Sequence, residues 1–143
     1  MPSINPTHID DQAWKHGHVY TDKEKESRIH YIDSPAQGTE KGVILLIHGY
    51  PNTSYQFRHV ITPFSKAGYR VICPDYRGAG DSSHPKLGYD KVTVANDLYV
   101  VAHDHLKITS PIHVVGQDIG GMVAHAYAAS HPDHTRSVMF GEW

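Results

Sequence analysis

Short apolar runs alternate along the chain with longer amphipathic stretches, separated by clusters of Gly, Pro, Asn, Asp and Ser. Gly17 to Thr21 and Arg28 to Ile32 read as two short strands, with the charged turn Asp22 to Glu26 between them. A loop, Ser34 to Thr39, leads to Val43-Ile44-Leu45-Leu46-Ile47, a continuous aliphatic run that suits a strand buried on both faces. Next come the loop His48 to Asn52 and a predicted helix from about Thr53 to Ala67, ended by Gly68. Tyr69 to Pro74 is a second buried strand, followed by a Gly-rich loop, Asp75 to Gly88. Asp90 to Leu106 predicts a long amphipathic helix, Pro111 to Val115 a third buried strand and Ile119 to Ser130 a third helix. Arg136 to Phe140 begins a last strand. This alternation predicts an α/β fold: a mostly parallel sheet with helices on both faces, in one domain over residues 1–143, with no repeat or linker.

Composition narrows the function classes. An apolar fraction of 39% and a charged fraction of 20% describe a globular chain, and 143 residues can bury a core. A net charge of −2 gives no reason to expect nucleic acid or an anionic membrane as partner. The N-terminal segment Met1 to Gln12 has no apolar signal-peptide core, and Val43 to Ile47 is too short to span a bilayer, so the expected location is cytoplasmic. Cys73, the one cysteine, lies in an apolar run and reads as a buried inert thiol. The 13 histidines are scattered. His16 and His18, like His103 and His105, stand two apart, a spacing that splits side chains between helix faces, so neither a metal nor any cofactor is expected.

Three spots carry candidate chemistry, each at the C-terminal end of a predicted strand, where open α/β sheets build sites. The first is Gly116-Gln117-Asp118-Ile119-Gly120-Gly121. Strand, Gly-x-nucleophile-x-Gly, helix is a nucleophile elbow, with Asp118 as nucleophile at a helix N-terminus that favours negative charge. The alternative is an aspartate that merely caps the helix; a dinucleotide loop does not fit the glycine spacing. The second is His48-Gly49-Tyr50-Pro51, a tight loop that can aim a backbone N–H at the elbow. Together the main chains of Tyr50 and Ile119 would form an oxyanion hole, against the alternative of an ordinary loop. The third, Asp75-Tyr76-Arg77-Gly78-Ala79-Gly80-Asp81-Ser82, reads as a structured turn; it lacks the Lys-Ser/Thr ending of a phosphate loop.

Taken together, His48-Gly49-Tyr50-Pro51, Asp75-x-Arg77-Gly78-x-Gly80-x-Ser82 and Gly116-x-Asp118-x-Gly120-Gly121 resemble the α/β-hydrolase fold over about residues 16 to 143. Within it they look like epoxide hydrolases and haloalkane dehalogenases, which use an aspartate nucleophile. The His-Gly-x-Pro form leans toward epoxide hydrolases and implies a cis Tyr50–Pro51 peptide. Gln117 is similar to dehalogenases, but those usually place a halide-binding Trp where this chain has Ile119.

The resemblance implies a hydrolase acting on a small organic epoxide or halide. A carboxylate attacking saturated carbon forms an ester that water can cleave, whereas a serine would form an inert ether. It also implies a late histidine as general base and a helical cap, and the chain ends before either. The expectation is therefore a partial core domain, truncated before the cap and last strands, unable to turn over repeatedly and prone to self-association through an unpaired sheet edge. None of the histidines stands where that base would; His48 belongs to the oxyanion loop, with Pro51, and reads as a structural hydrogen bonder. Glu142 falls where some dehalogenases place the acid that orients the histidine, against the alternative of an exposed chain-end glutamate. The other readings are a dehalogenase, or a catalytically dead domain that at most binds a ligand or partner chain.

Overall fold

In the computed structural model, residues 13–141 are described. Six strands form one sheet: β1 (Lys15–Tyr20), β2 (Arg28–Ser34), β3 (Gly42–Ile47), β4 (Tyr69–Pro74), β5 (Ile112–Gly116) and β6 (Thr135–Phe140). Their order across the sheet is β1-β2-β4-β3-β5-β6. β1–β2 and β2–β4 pair antiparallel, and β4, β3, β5 and β6 run parallel. The mostly parallel sheet expected from the sequence is therefore present, with an antiparallel flank.

Alternation along the central strands sorts side chains into two cores. Val43, Leu45 and Ile47 of β3 face one side with Ile72, Ile112 and Val114, under α2 (Lys91–Tyr99) and α3 (Ile119–Ser130). Ile44 and Leu46 face the other side with Val71, Cys73 and Ile61, under α1 (Ile61–Lys66). Helices thus cover both faces. Cys73 is fully buried, and burial pushes its thiol well above the ordinary value, so it stays protonated and inert. β6 is an edge strand that exposes Val138, Met139 and Phe140. No helix among the described residues is long and apolar enough to cross a membrane.

Two predicted helices come out differently. The Thr53 to Ala67 helix is broken into a 3₁₀ turn, Ser54–Phe57, and the short α1. Thr53 caps the 3₁₀ turn by accepting the Tyr55 N–H at 3.2 Å. Pro63 has no N–H to return to the His59 carbonyl, so a continuous helix would orphan that group; Pro63 is tolerated in the first turn of α1, where no donor is needed. The Asp90 to Leu106 helix is capped as expected, Asp90 accepting the Thr93 N–H at 2.9 Å, but it changes pitch. After Tyr99 it continues as a π turn over Val100–His105, and the Ile108 N–H reaches back to the Ala102 carbonyl around Lys107, which has φ 59°.

Candidate active site

β3 and β5 lie side by side, yet β3 connects onward to β4 on one flank and β5 to β6 on the other. Such a reversal opens a crevice at the C-terminal ends of the two strands. The loop after β3 carries Tyr50, the turn after β5 carries Asp118, and they meet there: the Tyr50 N–H donates to Asp118 Oδ2 at 3.0 Å.

The turn is sharp. Asp118 has φ 58° and ψ −129°, a conformation that costs a non-glycine residue free energy and persists only where the surroundings impose it. The Gly120 N–H closes on the Gln117 carbonyl and the Gly121 N–H on the Asp118 carbonyl, both at 2.9 Å. A Cβ at Gly116 would fall on the Gly120 carbonyl, so the turn has no room for a side chain there. Although Asp118 occupies the cap position of α3, its side chain makes no cap bond to the helix. Its carboxylate meets instead the backbone N–H groups of Ile119 and Tyr50, which hold it below the ordinary carboxylate value. The two amides singled out from the sequence therefore flank one carboxylate. At Gly49, a Cβ would lie 2.5 Å from the Asp118 Cβ and 2.9 Å from the Gln117 carbonyl oxygen, so the loop approaches this closely only with glycine.

His48 points the other way, fully buried. Its Nδ1 lies 2.9 Å from the Gly49 carbonyl, which can only accept, so Nδ1 carries the proton. Its Nε2 takes the Tyr76 N–H at 3.4 Å. Burial lowers its pKa, keeping it neutral. This is the structural hydrogen bonder read from the sequence. The Tyr50–Pro51 peptide is cis, as the resemblance implied, and Pro51 is exposed. Glu142 lies outside the described residues. Among those residues, no histidine hydrogen-bonds the Asp118 carboxylate.

Two residues of the site had no signal in the sequence. Tyr76 lies flat on His48, with ring centroids 4.0 Å apart, and burial followed by the Asp118 charge pushes its phenol up to about 12, so it remains neutral. With Tyr50, Tyr89, Val94, Ile119 and Val123 it lines an apolar cavity of about 280 Å³ beside the elbow, with Lys91 at its edge. Gln56, inside the segment predicted as helix, bonds the Gly49 N–H through Oε1 at 2.9 Å and the Gln117 side chain through Nε2.

The third spot is structural. Burial pushes the Asp75 carboxyl up, but hydrogen bonds from the His30 side chain and from the Ser54 and Asp81 N–H groups outweigh it and hold the carboxyl below its ordinary value. Arg77, also in this loop, is buried in an ion pair with Asp97 at 2.6 Å. His30, Asp75 and Asp81 offer ligand atoms within 4.8 Å of one another, but the Asp75 oxygens are already taken by these donors. The helix argument used for His16 and His18 does not apply, because both sit on β1, where a spacing of two shares a face. His16 Nδ1 lies 2.8 Å from His30 Nε2, with rings within 15° of coplanar and centroids 5.1 Å apart. That is an edge-to-edge N–H···N bond, and its head-on line is the wrong approach for two ligands converging on one ion.

Residues 42–141 match the family model described as the alpha/beta hydrolase fold. A soluble epoxide hydrolase from Corynebacterium sp. (strain C12) is 38% identical over 106 residues, covering 74% of this chain and 35% of that protein. A haloalkane dehalogenase from Mycolicibacterium paratuberculosis is 37% identical over 108 residues, covering 74% and 35%. Among solved structures, the epoxide hydrolase CorEH without ligand superposes with a TM-score of 0.77 at 31% identity, over 89% of this chain and 41% of that one. The chain thus spans about a third of the length of these two relatives.

Proposed function

The chain belongs to the α/β-hydrolase fold family, and from that premise we propose that Asp118 is the nucleophile of an epoxide-hydrolase-type reaction. One observation carries the proposal: a strained, ionised carboxylate, held by the Tyr50 and Ile119 amides, stands beside an apolar cavity.

In the first step an Asp118 oxygen attacks an epoxide carbon. The carbon–oxygen bond of the ring breaks, and the released alkoxide takes up a proton from water, leaving a hydroxyalkyl ester. Water then adds to the ester carbonyl, whose oxygen becomes an oxyanion next to the Tyr50 and Ile119 N–H groups. Collapse breaks the acyl C–O bond and releases a diol that carries the former Asp118 oxygen, while the water oxygen stays in the regenerated carboxylate. Among the described residues no histidine hydrogen-bonds Asp118 to activate that water, so the ester is expected to live long enough to detect. Displacement of a halide is the second reading. The dehalogenase relative favours it, whereas Ile119 in place of a halide-binding tryptophan weakens it.

Intact-protein and peptide mass spectrometry after exposure to styrene oxide tests the reading. The expected result is one adduct of the whole epoxide mass on the peptide containing Asp118. No adduct, or one confined to histidines or Cys73, would overturn it. A chloroalkane that adds its alkyl group to Asp118 where the epoxide adds nothing would establish the second reading instead.

A further inference from the structure

We propose that Gln56 is a positioning residue that clamps the loop after β3 to the nucleophile turn after β5, fixing the Tyr50 N–H against Asp118. The inference rests on the reading of Asp118 as nucleophile and extends it to a side chain that touches no reacting atom.

Three bonds in series support it. The Gly49 N–H donates to Gln56 Oε1 at 2.9 Å, which fixes the orientation of the Gln56 amide: oxygen toward Gly49, nitrogen away. That nitrogen then donates to Gln117 Oε1, the side chain immediately before the nucleophile. Gln117 is itself tied to β3, its N–H bonding the Ile47 carbonyl at 3.2 Å. One side-chain amide therefore joins the residue before Tyr50 to the residue before Asp118, beside the 3.0 Å bond between Tyr50 and Asp118.

The clamp answers a need of the local geometry. Gly49 has no side chain to hold the loop, and the closeness of Asp118 allows it none. His48 fixes the Gly49 carbonyl, which leaves the Gly49 N–H as the other handle on that residue. Gln56 lies in the 3₁₀ turn Ser54–Phe57 that follows the loop, within reach of the Gly49 N–H. The His48–Gly49 peptide is thus held at its N–H by Gln56 and the Gly49–Tyr50 peptide at its carbonyl by His48, and rocking of either plane would swing the Tyr50 N–H off the carboxylate.

Gln56→Met keeps the length of the side chain and removes both polar ends. Gln56→Glu keeps an acceptor for Gly49, and a flipped Gln117 amide can donate to its second oxygen. Amide hydrogen exchange at Gly49 and Tyr50 reads the clamp without any substrate; ester formation with styrene oxide reads its effect on Asp118. The expected result is that Gln56→Met speeds exchange at both amides and slows ester formation about tenfold, the scale of a mis-set reacting group, while Gln56→Glu keeps both readouts within about threefold of wild type. Unchanged exchange and ester formation in folded Gln56→Met would overturn the proposal. A lower melting temperature with neither readout moved would overturn it too, as a purely structural role. Should Gln56→Met not fold, Gln117→Met removes the far anchor alone, and its Tyr50 amide should exchange faster; unchanged exchange there again overturns the clamp. If the wild-type chain forms no ester, the epoxide reading fails while the exchange data still decide the clamp.

Discussion

Asp75 and Asp118 begin as equals: each stands just beyond the C-terminal end of a parallel strand, each accepts backbone N–H groups, and each is held below the ordinary carboxylate value. They end in opposite states. Asp75 is buried and saturated, with His30 on Oδ2, Ser54 on Oδ1 and Asp81 on Oδ2, and Gly80 packed so closely that a Cβ there would collide with it. Asp118 is only part-buried, held by two amides, and carried on a backbone turned into the left-handed half of φ. A low pKa therefore does not by itself separate a structural carboxylate from a reactive one. The difference lies in spare lone pairs, access and strain: Asp75 spends its acceptors on the fold, and Asp118 has acceptors left over for the ligand proposed above.

The strongest way to break this contrast is to neutralise each carboxylate in turn. Asp118→Asn should reduce ester formation by about 10⁴-fold or more, since it removes the proposed nucleophile, while the melting temperature stays near that of wild type. Mass spectrometry and thermal unfolding measure the two parts, and an adduct still forming on the 118 peptide would contradict the assignment. Asp75→Ala should do the reverse. It orphans the buried Ser54 N–H, the part-buried Asp81 N–H and the buried His30, and should cost about 3 kcal/mol in urea unfolding, with ester formation per folded molecule little altered. A loss well under 1 kcal/mol would mean that Asp75 is not the anchor described.

Gly49→Ala sharpens the comparison at the Asp118 side. The added methyl meets the Asp118 Cβ and the Gln117 carbonyl, so the loop must withdraw; ester formation should fall about tenfold from misplacement of the donor. A variant as fast as wild type would show that Tyr50 needs no such close approach. The smallest effect concerns pH. The folded Asp75 pKa lies below its unfolded value of about 3.9. Its contribution is therefore fully present above that value and is lost as pH falls through the folded pKa, because the unfolded chain binds its proton first. The stability gap between wild type and Asp75→Ala should consequently narrow from pH 7 to pH 3, and a gap that widens on acidification would reverse the assignment.

Much of this was legible in the residues. Val43 to Ile47 is apolar without interruption, and Tyr69 to Pro74 is apolar but for Arg70, because both faces are covered, and they stand as strands close to the expected bounds. The sharp turn around Asp118 was legible because glycines at 116 and 120 are what a tight strand-to-helix turn requires. The failures share a cause. Thr53 to Ala67 carries helical composition, but the missing donor of Pro63 outweighs it, and no local rule says on which side of the break Gln56 will sit. The shared face of His16 and His18 depends on β1 pairing with β2, and the cavity lining depends on Tyr76, Tyr89 and Val123 converging from three segments. Such convergence is tertiary and leaves no periodic trace.

The bond between Tyr50 and Asp118 spans 68 positions in sequence, and β4, which comes between them in the chain, adds to the far side of β3. The two groups therefore meet only after β5 has docked beside a β3 already in place. Closing so long a loop is entropically costly and comes late in folding relative to local turns. If Asp118 is alkylated as proposed, that reactivity is a property of finished folding, and the rate at which refolding chains regain it would time the closure of the β3–β5 pair.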